Sequence, residues 1–109
     1  MESDPELKRV EGAFNEAMFR IYDEARSKYH YNASRFLQML HNSSGVEVAR
    51  SLTLAPDASD GFTKLWELKR LDLTVEAHIL KPEYHVLFTD ADRDAARTRL
   101  ELYGWHTNP

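Results

Sequence analysis

The stretch Leu71-Asp-Leu-Thr-Val-Glu-Ala-His-Ile79 decides whether this chain folds as an all-α or a mixed protein. Apolar and polar residues alternate in it at every step, which is typical of a half-buried β-strand. A helix also fits, because Asp72 can cap it and several apolar residues then share one face. A strand needs a second strand to pair with, and the one candidate is segment 46–54, which itself fits either a short helix or a strand. We therefore favour helices and predict an all-α, compact bundle of five or six helices. The alternative is an α+β fold with short strands at about 46–54 and 71–80.

The rest of the chain has the pattern of helices separated by polar turns. In the first thirty residues, apolar side chains recur at spacings of three and four, which predicts a long amphipathic helix that ends near His30. That apolar stripe consists of Leu7, Val10, Phe14, Ala17, Ile21 and Ala25. The residues predicted to cap helices are Ser3, Asn32, Asp60 and Thr89, and those predicted to stop helices are Gly45, Pro82 and Gly104.

Composition limits the class of protein. The 109 residues are 42% hydrophobic and include only four glycines and four prolines, which predicts one helical domain over residues 1–109. The absence of cysteine excludes disulfides, thiolate metal sites and cysteine catalysis. No apolar run approaches the length of a membrane span, and the first residues are acidic rather than signal-like. We therefore expect a cytoplasmic protein with no membrane partner.

The sequence contains no recognisable catalytic, cofactor or metal signature. No nucleophile elbow surrounds a serine, and the isolated glycines form no phosphate loop. The histidines lack the spacing that places two zinc ligands on one helical face. Asp90, Asp92 and Asp94 imitate part of a calcium loop, but Ala95 stands where the sharp turn requires glycine. We predict no catalytic residue, cofactor or metal, and keep a small hydrolase or transferase as the third functional alternative.

The charges are unevenly distributed. The chain has a formal net charge of −4, yet segment 26–50 has four basic residues and one acid, Glu47. Aromatic residues lie between these bases, a combination that can follow a phosphate backbone and stack bases. Nucleic-acid binding by this segment is therefore an alternative function. Its predicted contacts are Arg26, Lys28, Arg35 and Arg50.

Two stretches carry a resemblance: Tyr31-Asn-Ala-Ser-Arg-Phe-Leu-Gln-Met-Leu40, and the run DGFTxLWExxRLDLTVEA over residues 60–77. With them, the chain resembles a family of small uncharacterised bacterial proteins from about Phe14 to Trp105. The resemblance implies a bacterial or phage source and a complete, stand-alone domain. It transfers no activity and no catalytic residue.

The run also suggests an interaction surface. If the segment is helical, Glu67 and Arg70 can pair at i, i+3, and Asp72 and Glu76 lie at i, i+4. These residues fit a helix–loop–helix corner fixed by an aromatic anchor and ion pairs, or a surface that recognises a partner. We predict a non-catalytic protein-binding accessory or regulatory module of bacterial or phage origin, whose partner is another protein or a second copy of the chain. The predicted partner contacts are Trp66, Glu67, Arg70, Asp72 and Glu76.

Overall fold

Six α-helices and two short 3-10 helices make up most of residues 4–105, the part of the chain that the computed structural model describes. The α-helices are α1 (Pro5–Tyr29), α2 (Ser34–Asn42), α3 (Gly45–Leu54), α4 (Asp60–Glu67), α5 (Val75–Ile79) and α6 (Asp90–Leu102). The 3-10 helices are Leu71–Leu73, before α5, and Pro82–Leu87, between α5 and α6. No strand forms within these residues. The all-α prediction is therefore confirmed, and the alternative with strands at 46–54 and 71–80 is wrong.

Helix α1 is the longest element, and α2, α3 and the second 3-10 helix pack against it. Asp4 caps it by accepting a hydrogen bond from the Glu6 amide at 3.0 Å, whereas Ser3, the predicted cap, lies outside the described residues. The helix ends as predicted at His30, which adopts the left-handed conformation with φ 57°. No helix among the described residues, α1 included, combines the length and the apolar character that crossing a membrane requires.

Thr74 explains why the alternating stretch is not a strand. Its hydroxyl donates to the Leu71 carbonyl at 2.7 Å and accepts from the Ala77 amide at 3.1 Å, so it joins the first 3-10 helix to α5. All five residues of α5 are buried, including Glu76 and His78. The alternation therefore does not separate a wet face from a dry face, because Thr74, Glu76 and His78 lie in the interior and Asp72 alone of its polar residues is exposed.

Two of the predicted caps are displaced by one residue. Asn32 does not cap α2, whose N-cap position is Ala33 and has no side-chain hydrogen bond. The Asn32 side chain instead accepts a hydrogen bond from the Tyr22 hydroxyl at 2.7 Å. Ser59 rather than Asp60 caps α4, because its hydroxyl accepts from the backbone amide three positions on, at 3.1 Å. Serine and aspartate are comparable caps, so residue type alone did not separate these two neighbours.

Helix α6 begins and ends where the sequence predicts. Thr89 caps it, and its side chain and that of Asp92 form a reciprocal capping box. Gly104 follows its end with φ 97°, a conformation that other residues rarely adopt. Pro82 likewise lies after the end of α5 and begins the second 3-10 helix.

Gly45 begins α3 instead of stopping α2, which corrects the predicted terminator. Ser44 caps the helix by accepting from the Glu47 amide at 3.2 Å. The Gly45 amide donates to Asn15 Oδ1 at 2.9 Å, so α3 starts in direct contact with α1. A Cβ at this position would lie 2.9 Å from Asn15 Oδ1 and 3.0 Å from Asn15 Cα. Glycine is needed here for the close approach of two helices.

Two apolar clusters form the core, and α5 contributes to both. In the first, the fully buried Phe14 meets Tyr84 and Phe88 edge to face, with ring centroids 5.0 and 5.1 Å apart. The second is built around Phe62 and Leu100, at the ends of α4 and α6. Burial of these side chains is the main apolar contribution to the stability of the bundle.

Two glycine substitutions should shift stability in opposite directions. Gly45→Ala should lower the free energy of unfolding by about 1–3 kcal/mol, because the added methyl group overlaps α1. Gly12→Ala should raise it by about 0.5–1 kcal/mol, because Gly12 lies within α1 with no atom within 4 Å of its missing Cβ. Urea unfolding monitored by circular dichroism measures both. Equal effects of the two substitutions would contradict the close helix approach at Gly45.

Candidate functional site

An exposed indole stands at the end of α4, supported by a tyrosine just beyond α6. Trp66 is 44% exposed, and its ring lies edge to face with that of Tyr103, with centroids 5.2 Å apart. Tyr103 in turn meets the buried ring of Phe62 at 4.8 Å. This series of rings holds Trp66 in a defined position at the surface.

Tyr103 also borders a groove of about 500 Å³ between residues 53–58 and α6. Two large apolar side chains of this groove are exposed to solvent: Leu54 at 51% and Leu102 at 78%. We call it the Leu54–Leu102 groove. Together with Trp66, which adjoins it through Tyr103, it forms one apolar surface at this end of the bundle.

A nearly buried arginine holds the two walls of the groove together. The Arg99 guanidinium donates to the carbonyl oxygens of Leu52 at 2.9 Å and of Ala55 at 2.6 Å. It also donates to Glu76 Oε2 at 3.2 Å. The last carbonyls of a helix have no partner within that helix, so Arg99 satisfies the C-terminal end of α3 from the neighbouring α6. One side chain thereby connects α3, α5 and α6.

Glu76 lies in the interior, where only 2% of it is exposed. Burial raises the pKa of its carboxyl group, and the Arg99 guanidinium acts in the opposite direction. Asp72 and Glu76 do not share one helical surface at i, i+4, because Asp72 lies in the 3-10 helix and Glu76 is buried in α5. Glu76 and Arg99 are 23 positions apart, so no local pattern in the sequence indicates that they pair.

Arg70 fastens the turn after α4 to the C-terminal end of α1. Its guanidinium holds both carboxylate oxygens of Asp72, at 3.0 and 3.1 Å. It also donates to the Tyr29 hydroxyl at 2.7 Å and lies 2.9 Å from Glu24 Oε2. Its hydrogen bonds lower the pKa values of both Asp72 and Glu24. Asp72, a predicted cap, therefore acts as an ion-pair partner.

The five predicted partner contacts thus separate into two groups. Trp66, Glu67 and Asp72 are exposed. Arg70 is occupied by contacts within the fold, which include Asp72, and Glu76 is buried. The predicted pair of Glu67 with Arg70 does not form among the described contacts, because α4 ends at Glu67 and Lys69 adopts φ 61°, which reverses the chain. The run 60–77 is largely a structural corner, with Trp66 as its exposed aromatic residue.

The basic residues of the nucleic-acid alternative lie on three helices. They are Arg26 and Lys28 on α1, Arg35 on α2 and Arg50 on α3. Lys28 lies 3.3 Å from Glu24, and Arg50 lies 3.1 Å from the buried carboxylate of Asp92. Arg35 forms no ion pair with any residue that the structure describes. Carboxylates therefore compensate two of the four charges, and contact with nucleic acid stays a prediction.

The acidic start of α6 is occupied by contacts within the protein. Asp92 pairs with Arg50 and completes the helix cap, while Asp90 and Asp94 each pair with an arginine three positions on. Between residues 4 and 105, no three histidine or carboxylate side chains form a group that could hold a metal ion. The favourable interaction of negative charges with the N-terminus of a helix accounts for these acidic residues.

A second cavity, of about 510 Å³, lies between α1, α2 and the start of α4. Most of its lining is apolar, and its charged residues include Arg35 and Asp60, of opposite sign. Tyr31 also lines it, and burial and the neighbouring Asp60 raise the pKa of this phenol. The opposite charges give the cavity no single sign by which it could select a ligand.

His78 is a buried titratable group in α5, with 7% of its surface exposed. Its Nδ1 lies 2.7 Å from the Thr74 carbonyl oxygen, so Nδ1 carries a proton and donates it to that oxygen. Burial lowers the pKa of His78 below its ordinary value, with a further contribution from Lys81. Protonation of this ring is therefore unfavourable in the folded protein.

Arg99→Ala should lower the free energy of unfolding by about 3–5 kcal/mol, because it leaves a buried carboxylate and two carbonyl groups without their partner. Arg97→Ala is the matched control on the same helix. Arg97 is 42% exposed and pairs with Asp94 at the surface, so its loss should change stability by less than about 0.5 kcal/mol. Thermal or urea unfolding measures the difference. Similar values for the two variants would contradict the central position of Arg99.

The pH dependence of stability should include a contribution from His78. Because its folded-state pKa is lowered, its contribution is complete above about pH 6.5 and is lost as the pH falls through 6.5 toward the folded pKa. His78→Gln should therefore flatten the decline in melting temperature between about pH 7.5 and 5. His85→Gln, at an exposed position, is the control and should follow the wild type. An unchanged pH profile for His78→Gln would refute the assignment.

No family model matches the chain, and no curated protein or solved structure matches it at a significant level. The likeness to small bacterial proteins therefore stays a prediction, and the function is argued from the geometry above.

Proposed function

We propose that this chain is a non-catalytic protein-binding module, with an accessory or regulatory role in the cytoplasm of a bacterium or in a phage system. The surface assigned to binding consists of Trp66, Tyr103, Leu54 and Leu102. The resemblance of the run 60–77 to small bacterial proteins supports the source, and the exposed apolar surface supports the activity.

The grouping of exposed apolar side chains is the observation that carries the proposal. Among the described residues, the exposed large hydrophobic side chains are Leu54, Trp66, Val86 and Leu102. Leu54 and Leu102 line one groove, and Trp66 adjoins it through Tyr103, while Val86 lies elsewhere, on the second 3-10 helix. Contiguous apolar surface of this kind is typical of interaction sites, whereas a single exposed apolar residue is not.

The residue types and their rigidity also fit a binding surface. Tryptophan and tyrosine are enriched among the residues that contribute most to protein–protein affinity. The two rings are held edge to face, and Arg99 fixes both walls of the adjoining groove. A surface held in place before binding loses less conformational entropy when a partner docks.

Leu102→Asp should abolish capture of a protein partner from a lysate of the native host, because it places a charge within the apolar surface. Val86→Asp makes the same change at a position that is also exposed, but outside this surface, and should leave capture intact. Both side chains are exposed, so both variants should melt close to the wild type. Affinity capture followed by mass spectrometry measures the outcome.

Two results would contradict the proposal. One is capture of the same proteins by the wild type and by Leu102→Asp. The other is the absence of any protein above the background of an unrelated bait of similar charge.

A further inference from the structure

We propose that the Leu54–Leu102 groove takes a segment of another protein in which a large apolar side chain is flanked by lysine or arginine. This inference rests on the proposed function and names the chemistry of the partner. Three features of the groove carry it: the sign of its charges, the order of its residues along α6, and the poor fit of a second copy.

Each wall of the groove carries one exposed carboxylate. Asp57, on the wall formed by residues 53–58, is exposed and makes no ion pair with any described residue. Asp94, on the α6 wall, has 75% of its side chain exposed and pairs at the surface with Arg97. The one cation in the lining is Arg99, and Glu76 already compensates its charge. A ligand therefore meets two exposed carboxylates, of which Asp94 is paired with Arg97, and one nearly buried guanidinium whose charge Glu76 compensates.

Charge and apolar surface are separated along α6. Asp94 lies near the start of the helix, whereas Leu102 and Tyr103 lie at its end. Asp94 and Leu102 are eight positions apart, which corresponds to about 12 Å along an α-helix. This length accommodates about two helical turns of a partner. The partner's cation would lie toward Asp94, and its apolar side chain toward Leu102 and Tyr103.

A second copy of the chain fits this groove less well. In a two-fold dimer the same surface occurs on both sides of the interface, so two sets of acidic walls would face each other. Like charges in such a contact are unfavourable, and the chain as a whole already has a net charge of −4. A basic partner would find an attractive charge at both walls and an apolar contact between them.

Selection from a random displayed peptide library on the immobilised full chain tests the inference. We expect the selected peptides to share a large apolar residue with lysine or arginine nearby. Their affinities are then measured by fluorescence anisotropy at two salt concentrations. Each of Asp57→Asn and Asp94→Asn should weaken binding by about two- to fivefold and reduce its salt dependence. Leu102→Asp should weaken it by more than about fivefold.

Matched variants separate the groove from general charge effects. Asp23→Asn removes an exposed carboxylate from α1, outside the groove lining, and should leave peptide affinity unchanged. Val86→Asp replaces an exposed apolar side chain outside the groove lining and should also leave peptide affinity unchanged. Equal losses in Asp23→Asn and Asp57→Asn would show that only net charge acts, and would overturn the inference.

The remaining outcomes distinguish this inference from the proposed function. Peptides that lack basic residues, or that bind Leu102→Asp as tightly as the wild type, would overturn the groove chemistry. If no peptide is selected while capture from lysate still depends on Leu102, the proposed function stands and this inference fails. A dimer in sedimentation that Leu102→Asp dissociates would assign the groove to a second copy and would likewise overturn the inference.

Discussion

The ion pair between Arg99 and Glu76 is the constraint on which the arrangement of the last helices depends. Removing two charges from water is costly, and their attraction offsets that cost only when the geometry is good and the remaining hydrogen-bonding groups are satisfied. Here the remaining donors of Arg99 are used by the carbonyls of Leu52 and Ala55, which the end of α3 leaves open. The pair is thus stable in this one arrangement of α3, α5 and α6, because any other arrangement would leave a buried charge or a carbonyl without a partner.

The same arrangement creates the surface assigned to binding. Arg99 and Leu102 are three positions apart on α6 and both line the groove. Arg99 directs its guanidinium toward the backbone of residues 52–55 and is nearly buried, whereas Leu102 is left in solvent. The distance between the groove walls is therefore set by a buried electrostatic contact, while the surface proposed for binding consists of exposed apolar atoms. Fold and binding use neighbouring residues but different interactions, so exposed residues of the groove can be changed without loss of the bundle.

The features that the sequence predicts well are those encoded locally. The periodic apolar stripe of α1 and the cap of α6 at Thr89 depend on residues within one or two turns of each other, and both are confirmed. The alternation in 71–79 is misleading as a strand signal, because three of its four polar residues, Thr74, Glu76 and His78, are buried with partners of their own. His78 bonds within its own turn, but Glu76 depends on an arginine far along the chain. Pairing over that distance leaves no periodicity or spacing that a single sequence can show.

The groove lies outside the run 60–77, which limits what that run indicates about function. Inside residues 60–77, Arg70 and Asp72 fasten the corner to α1, and Glu76 pairs with Arg99, so these side chains serve the fold. The walls of the groove come from residues 53–58 and from α6, both outside the run. In this chain the run therefore contributes the corner and the buried acid that pairs with Arg99. Of the proposed binding surface, Trp66 lies inside the run, whereas Leu54, Leu102 and Tyr103 lie outside it, so the run alone does not define that surface.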